Sequence, residues 1–435
     1  MLNPIQASQS IKDEFVSYVS TSFHIADRDY AEQFIKELNK KDAVTKGPYL
    51  DISDSFETGE NIESLIEAKE LSPLFRKLEE PVPEKDKEIK LYRKLYLHQE
   101  KAIRKINQEH NLVVTTGTGS GKTECFILPI INHLLREKEA GELTSGVRAI
   151  LIYPMNALAN DQMKRLRAIL KNYPDITFGV YNSSTKQEDE AGIAEYGRIF
   201  KDENGHALKP LPNEAISRKT MQKTPPHILV TNYAMLEYMM LRPNDDLVFS
   251  GAKLKFLVLD EAHIYRGATG METSLLLRRL KARISNSPEI RHILTSATLG
   301  GKEADKDIVT FAETLCDAKF YETDIIRSKT VMPEFPDKTI DYPVRLFAEL
   351  ANPDSPLNEI LDKYSVEYNP HNLDAEIIFD LCISSTIYKV LRQCATRPMT
   401  VKEITSLVNN YIPVSEEDIV NLINVASRGE KTKQL

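Results

Sequence analysis

Three short segments hold the residues best suited to chemistry: Thr115-Thr116-Gly117-Thr118-Gly119-Ser120-Gly121-Lys122-Thr123, Asp260-Glu261-Ala262-His263 and Ser296-Ala297-Thr298. In the first, glycines 117, 119 and 121 let the backbone bend into a nest whose amide hydrogens point inward at an anion. Thr118 and Ser120 lie between them and Thr116 just before them, all three small and polar. Lys122 supplies a mobile charge for the outer phosphates of a nucleotide, and the Thr123 hydroxyl a ligand for magnesium. The strict form of such a loop carries glycine at position 116, where this chain has threonine. In the second segment Asp260 can hold magnesium, directly or through water, while Glu261 can orient and deprotonate an attacking water. His263 has two readings, a relay between the nucleotide and Ser296 or Thr298, and an ordinary hydrogen-bonded, partly buried histidine.

These segments need elements that bring them together. The loop follows the apolar run Leu112-Val113-Val114 and precedes Phe126, Ile127, Ile130, Ile131 and Leu134 at helical spacing, which is a strand, loop, helix junction. The helix then presents its positive end to the same anion. Asp260 and Glu261 end the run Phe256-Leu257-Val258-Leu259, as in a buried parallel strand. Further β-rich runs at 149–153, 177–181, 228–231 and 292–295 alternate with helical patterns, so the expected fold is α/β, a parallel sheet with helices on both faces. All three segments follow strands and gather along one sheet edge.

Around this core, residues 1–90 read as a helical N-terminal region, with patterns at Ile11, Phe15, Val16, Tyr18 and at Tyr30, Phe34, Ile35, Leu38, closed by a charged linker at 79–88. Residues 91–300 form the nucleotide-binding domain, with a polar excursion at 183–223. Residues 301–435 read as mainly helical: one helix over 375–394, one started by the capping box Thr400-x-x-Glu403, and one after Ser415. A winged-helix-like module and a generic three-helix packing unit both fit that pattern.

Composition narrows the rest. Four cysteines, at 125, 316, 382 and 394, make no Cys-x-x-Cys pair, which points to reduced thiols in a cytoplasmic protein without a zinc site. No apolar run approaches a membrane span, so no membrane partner is expected. The net charge of −8 argues against general coating of nucleic acid, yet leaves room for a local basic groove.

Taken together, the segments resemble the DEAD/DEAH-box helicases of superfamily two, in which threonine in place of the early glycine is found. Leu95-Tyr96-Leu97-His98-Gln99 resembles that family's glutamine motif, which implies that Gln99 pairs with adenine and that the nucleotide is ATP. The run from Tyr153 to Gln162, with Pro154 and Asn156, resembles the first nucleic-acid motif, and Thr231-Asn232-Tyr233 the next. Each polar residue there also suits an ordinary helix cap. Asn3-Pro4-Ile5, Lys46-Gly47-Pro48-Tyr49-Leu50, Asn232 to Tyr238 and Asp260 to Gly267 are similar to very large bacterial helicases of the mitomycin-repair and Druantia phage-defence type. In that group Arg266 lies beside the nucleic-acid path, DNA rather than RNA.

After Thr298 the Gln-x-x-Gly-Arg-x-x-Arg pattern of the second RecA-like domain is missing. The resemblance therefore implies the first motor domain of an ATP-dependent helicase or translocase, incomplete without a partner carrying the second RecA-like domain. The alternative is a non-catalytic ATP- or nucleic-acid-binding subunit of a larger defence or repair complex.

Overall fold

The computed structural model describes residues 3–23, 25–40, 43–52, 54–79, 89–117, 119–202, 204–284, 289–352 and 355–429. Thr118 and residues 80–88 of the expected linker lie outside them. Contacts divide the chain into two compact units, Phe56–Thr330 in one, and Met1–Ser55 with Val331–Leu435 in the other.

The first unit is built on an eight-stranded sheet. Its strands in chain order are β1 (Leu112–Thr115), β2 (Ala149–Tyr153), β3 (Phe178–Tyr181), β4 (Glu214–Ala215), β5 (Ile228–Asn232), β6 (Phe256–Leu259), β7 (Arg291–Ser296) and β8 (Ile325–Arg327). Their spatial order is β8-β1-β7-β6-β2-β5-β3-β4, with every pair parallel. The β-rich runs of the sequence thus become the six inner strands, and two short edge strands are added.

Alternation along each strand explains why both faces are covered. Leu112, Val114, Ala149, Leu151, Phe256 and Val258 join one apolar cluster. Val113, Ile150, Ile152, Leu257 and Leu259, one residue out of phase, join another. A parallel sheet with two apolar faces has to be sandwiched. The first face packs on α1 (Leu97–Asn107), α2 (Glu124–Glu139) and α3 (Asn156–Leu170), through Ile103, Ile127, Ile131, Leu134, Met163 and Leu166. The second packs on the helices Tyr233–Leu241 and Gly267–Arg283 through Leu236, Met239, Leu276, Leu277 and Leu280. Each such side chain contributes about 1.5–3 kcal/mol when fully buried.

Residues N-terminal of position 91 also enter this unit. Leu65, Leu71 and Phe75, all essentially inaccessible, belong to the first cluster with Ile103 and Ile131. Their short helices carry too little periodicity to announce the packing partner. The division by contacts therefore falls at 55 and 330, where the sequence reading set boundaries near 90 and 300.

The second unit is mainly helical. Helices Pro4–Ser22 and Arg28–Leu38 are joined by Val344–Leu350, Leu357–Lys363, Asp374–Ser384, Thr386–Cys394, Val401–Val408 and Glu416–Ala426, with a two-stranded antiparallel pairing of Tyr49–Leu50 with Met399–Thr400. Asn3 caps the first helix, its Oδ1 accepting from Ile5 N at 3.0 Å. The capping box predicted at Thr400 and Glu403 is present in both directions. The single helix expected over 375–394 is instead two. Ser385 leaves helical backbone geometry to pair with Ile340, whose N–H donates to Ser384 O and whose carbonyl accepts from Thr386 N. Among the described residues no helix is long and apolar enough to cross a membrane.

Candidate functional site

Strands β1, β7 and β6 are neighbours, so the loop after Thr115, the segment after Ser296 and the acids after Leu259 meet at one end of the sheet. The loop is held from inside by its own small residues. Ser120, fully buried, donates to Thr116 Oγ1 at 2.7 Å and reaches Gly117 O at 2.8 Å. Threonine at 116, where the strict pattern has glycine, therefore has a local partner.

Helix α1 braces the same loop from the side. His98 Nε2 lies 2.7 Å from Ser120 O, and Gln99 Nε2 donates to Gly121 O at 3.1 Å. Burial lowers the His98 pKa, favouring the neutral ring. Gln99 Oε1 also accepts from Tyr96 N at 2.9 Å. One N–H and one lone pair of the Gln99 amide remain after these bonds. Gly121 sits at φ +71°, a backbone that a side chain would strain, and a Cβ there would displace the Gln99 amide from 2.3 Å.

Lys122 extends into the space above the loop. Its ammonium is buried, has no hydrogen-bond partner among the described residues, and stands 3.7 Å from Glu261 Oε1. A buried cation so short of acceptors is costly on its own, and a phosphate oxygen is the acceptor that would satisfy it. Glu261 has a left-handed backbone, φ 49° and ψ 49°, a conformation a non-glycine residue holds only when its surroundings impose it. Asp260 is largely buried, which pushes its carboxyl above the usual range. The hydroxyl of Thr295, which bonds it, opposes that rise, the neighbouring Glu261 charge adds to it, and Lys122 again opposes it.

The third segment ties these parts together. Thr116 N donates to Ser296 O at 3.2 Å, Ser296 Oγ lies 3.1 Å from His263 Nδ1, and His263 Nδ1 lies 3.3 Å from Glu261 Oε2. Thr298 N donates to Ser296 Oγ at 3.2 Å. His263 thus physically links the acid to the Ser296 segment, while Thr298 contributes its backbone rather than its hydroxyl. Two tyrosines to which the motifs give no role at the nucleotide also belong to this neighbourhood. Tyr153 and Tyr265 are buried, with hydroxyls that have no hydrogen-bond partner among the described residues, and Asp260 is among the charges that raise their pKa values further after burial.

The other half of the sheet edge, at β2, β5 and β3, holds a separate polar ladder. Asn232 Nδ2 donates to Asn156 Oδ1 at 2.8 Å, and Asn156 Nδ2 donates to Ser183 Oγ at 3.0 Å. Asn232 also caps the helix that follows, accepting from Met235 N at 2.7 Å. Pro154 immediately precedes this stretch, after β2. Thr231 is fully enclosed and donates its hydroxyl to Tyr181 O at 2.7 Å, so its side chain holds β5 to β3 and is not presented at the surface. Arg266 stands apart from the ladder, its guanidinium 5.9 Å above the Phe311 ring at the rim of a cavity of about 610 Å³.

A glycine-rich loop after β1 of a parallel sheet, with paired acids after β6 on the far side of β7, defines a RecA-like nucleotide-binding domain. Residues 96–306 match the family model of the DEAD/DEAH box helicases. The chain is 31% identical over 380 residues to Druantia protein DruE of Escherichia coli (strain UMEA 4076-1), covering 68% of this chain and 20% of that protein. It is also 31% identical over 212 residues to an uncharacterized ATP-dependent helicase of Methanocaldococcus jannaschii, covering 47% and 26% respectively. Among solved structures, it is similar to the DUF1998 helicase MrfA bound to DNA and AMPPNP, with 19% identity, a TM-score of 0.44, and coverage of 88% of this chain and 43% of that one. Residues 96–306 thus carry a DEAD/DEAH box helicase domain, and the chain spans between a fifth and about a quarter of the length of the two relatives named.

Proposed function

We propose that this chain is the first motor domain of an ATP-dependent DNA helicase or translocase, of the repair or phage-defence kind. It would couple ATP hydrolysis at β1, β6 and β7 to a grip on single-stranded DNA at β2, β5 and β3. The observation that carries the nucleotide half is the buried Lys122 ammonium, without a hydrogen-bond partner at the mouth of a glycine loop and 3.7 Å from Glu261. On this reading the loop amides from Gly117 to Lys122 cradle the phosphates, Lys122 neutralises the outer ones, and Glu261 orients the water.

Magnesium fits the same residues, since Thr123 and the largely buried Asp260 supply the hard oxygen ligands it prefers. When bound it polarises the phosphate oxygens and offsets their charge. His263, Ser296 and Thr298 carry the state of the nucleotide to the rest of the sheet. Asn156, Asn232 and the backbone after Pro154 hold the strand, and Arg266 flanks its path. On this reading a second RecA-like domain completes the motor.

The adenine contact gives a direct test. Gln99 retains one N–H and one lone pair after its bonds to Gly121 and Tyr96, enough to match adenine's acceptor and donor. Calorimetric titration with magnesium present should show ATP binding about tenfold or more tighter than GTP, the worth of one or two hydrogen bonds. Equal affinity for the two would remove Gln99 from base recognition. No binding of either would overturn the nucleotide reading as a whole.

A further inference from the structure

The polar excursion between β3 and β5 contains an arginine that the motifs leave without a task. Arg218 opens the short helix Arg218–Lys223, and its guanidinium lies 5.3 Å from the centre of the Tyr181 ring. That ring is itself fixed, because Tyr181 is fully buried and its hydroxyl bonds Asp245. The Arg218 backbone is pinned as well, its N–H donating to Lys186 O at 2.9 Å. An arginine stacked in this way has already lost most of its rotamer freedom, so closing on a ligand costs it little further entropy.

Its hydrogen-bonding capacity is nearly unused. Among the described residues, no carboxylate forms an ion pair with Arg218, Nε is buried without a partner, and one terminal nitrogen makes only a long 3.4 Å contact to Asn182 O. Neighbouring cations are engaged, Lys219 with Glu188 at 2.9 Å and Lys186 with Glu195 at 3.8 Å. Arg218 is therefore a cation held in place and short of acceptors.

Its position supplies the acceptor. Tyr181 ends β3 beside Thr231, and Asn182 adjoins Ser183, the last member of the Asn232–Asn156–Ser183 ladder. Arg218 thus sits at the far end of the row of groups assigned above to a nucleic-acid strand. We infer that Arg218 binds a backbone phosphate of that strand and extends the grip beyond the ladder by one contact. This rests on the proposed nucleic-acid function, and it assigns to the 183–223 excursion a role in setting the length of strand held.

The test is binding of a fluorescein-labelled oligo-dT to the full 435-residue chain by anisotropy across a salt series. Each phosphate neutralised adds about 0.7 to the slope of log affinity against log salt for a single strand. Arg218→Ala should lower that slope by about 0.7 and weaken binding about tenfold at low salt, as expected for one charged hydrogen-bonding contact. If the alanine variant does not fold, as judged by its thermal midpoint, Arg218→Gln, which keeps the planar stack and removes the charge, decides by the same slope. Arg218→Lys should keep the slope, because the charge remains. An unchanged slope in the folded charge-removing variant, beside a native chain that binds and an Asn232→Ala variant that binds more weakly, overturns the inference alone. A native chain that does not bind, or an Asn232→Ala variant that binds as well as native, overturns the proposed ladder and with it the basis for Arg218.

Discussion

Glu261→Gln should leave ATP binding intact while lowering turnover by about two to four orders of magnitude, the range removed with a positioned general base. The substitution is nearly isosteric, and the loop that would hold the phosphates is supported by His98, Gln99, Thr116 and Ser120, none of which depends on the Glu261 carboxylate. What it removes is the negative charge beside Lys122 and His263. Loss of that charge frees Lys122 for phosphate and takes an anion away from the triphosphate, so affinity should hold or rise. Turnover is to be read by phosphate release in an assembly that contains both RecA-like domains, and binding by calorimetry. A variant that turns over at the native rate would contradict the role given to Glu261.

A second large effect concerns the partner. These 435 residues alone should hydrolyse ATP slowly and displace no strand, even with single-stranded DNA present. In related phosphoryl-transfer enzymes an arginine supplied from across the nucleotide is worth about a thousandfold or more in rate. Stepping also needs two domains that open and close around the nucleotide, because a single grip on the strand cannot advance. Adding a partner with the second RecA-like domain should raise the ATPase rate by about that factor and bring strand displacement with it. Steady-state ATPase and strand-displacement assays, with and without the partner, read both; robust unwinding by these residues alone would refute the requirement.

The sheet was legible in the sequence wherever a strand is long and buried on both faces. The runs around Val113, Ile150, Leu229, Val258 and Leu294 are continuous and apolar because water meets neither side of them. Edge strand β8 has only Ile325 to Arg327, and β4 only Glu214 and Ala215, too few residues for any periodicity to register. The break at Ser385 was hidden for a different reason. The local pattern favours one helix, and the competing hydrogen bonds come from Ile340, far away in sequence.

The site divides in the same way. Lys122, Asp260 and Glu261 stand out in the sequence because a phosphate loop and strand-end acids impose residue types at fixed spacing, and the structure places Lys122 3.7 Å from Glu261. The bracing by His98, the bond from Ser120 to Thr116, and the buried hydroxyls of Tyr153 and Tyr265 depend on side chains meeting in space, which spacing alone does not encode. Thr231 shows the converse. Its motif resembles a nucleic-acid-binding one, whereas its hydroxyl donates to Tyr181 O inside the sheet.

The central claim is that the loop ending in Lys122 is an ATP site, and calorimetric titration of ATP with magnesium into the native chain and into Lys122→Ala tests it most directly. Removing an ammonium that is buried without a hydrogen-bond partner should not unfold the chain, so the two proteins can be compared at similar thermal midpoints. The native chain should bind one equivalent of ATP, and the variant should bind about ten- to a hundredfold more weakly, as expected when a charge-assisted bond to phosphate is lost. Equal affinity in the two proteins would contradict the account.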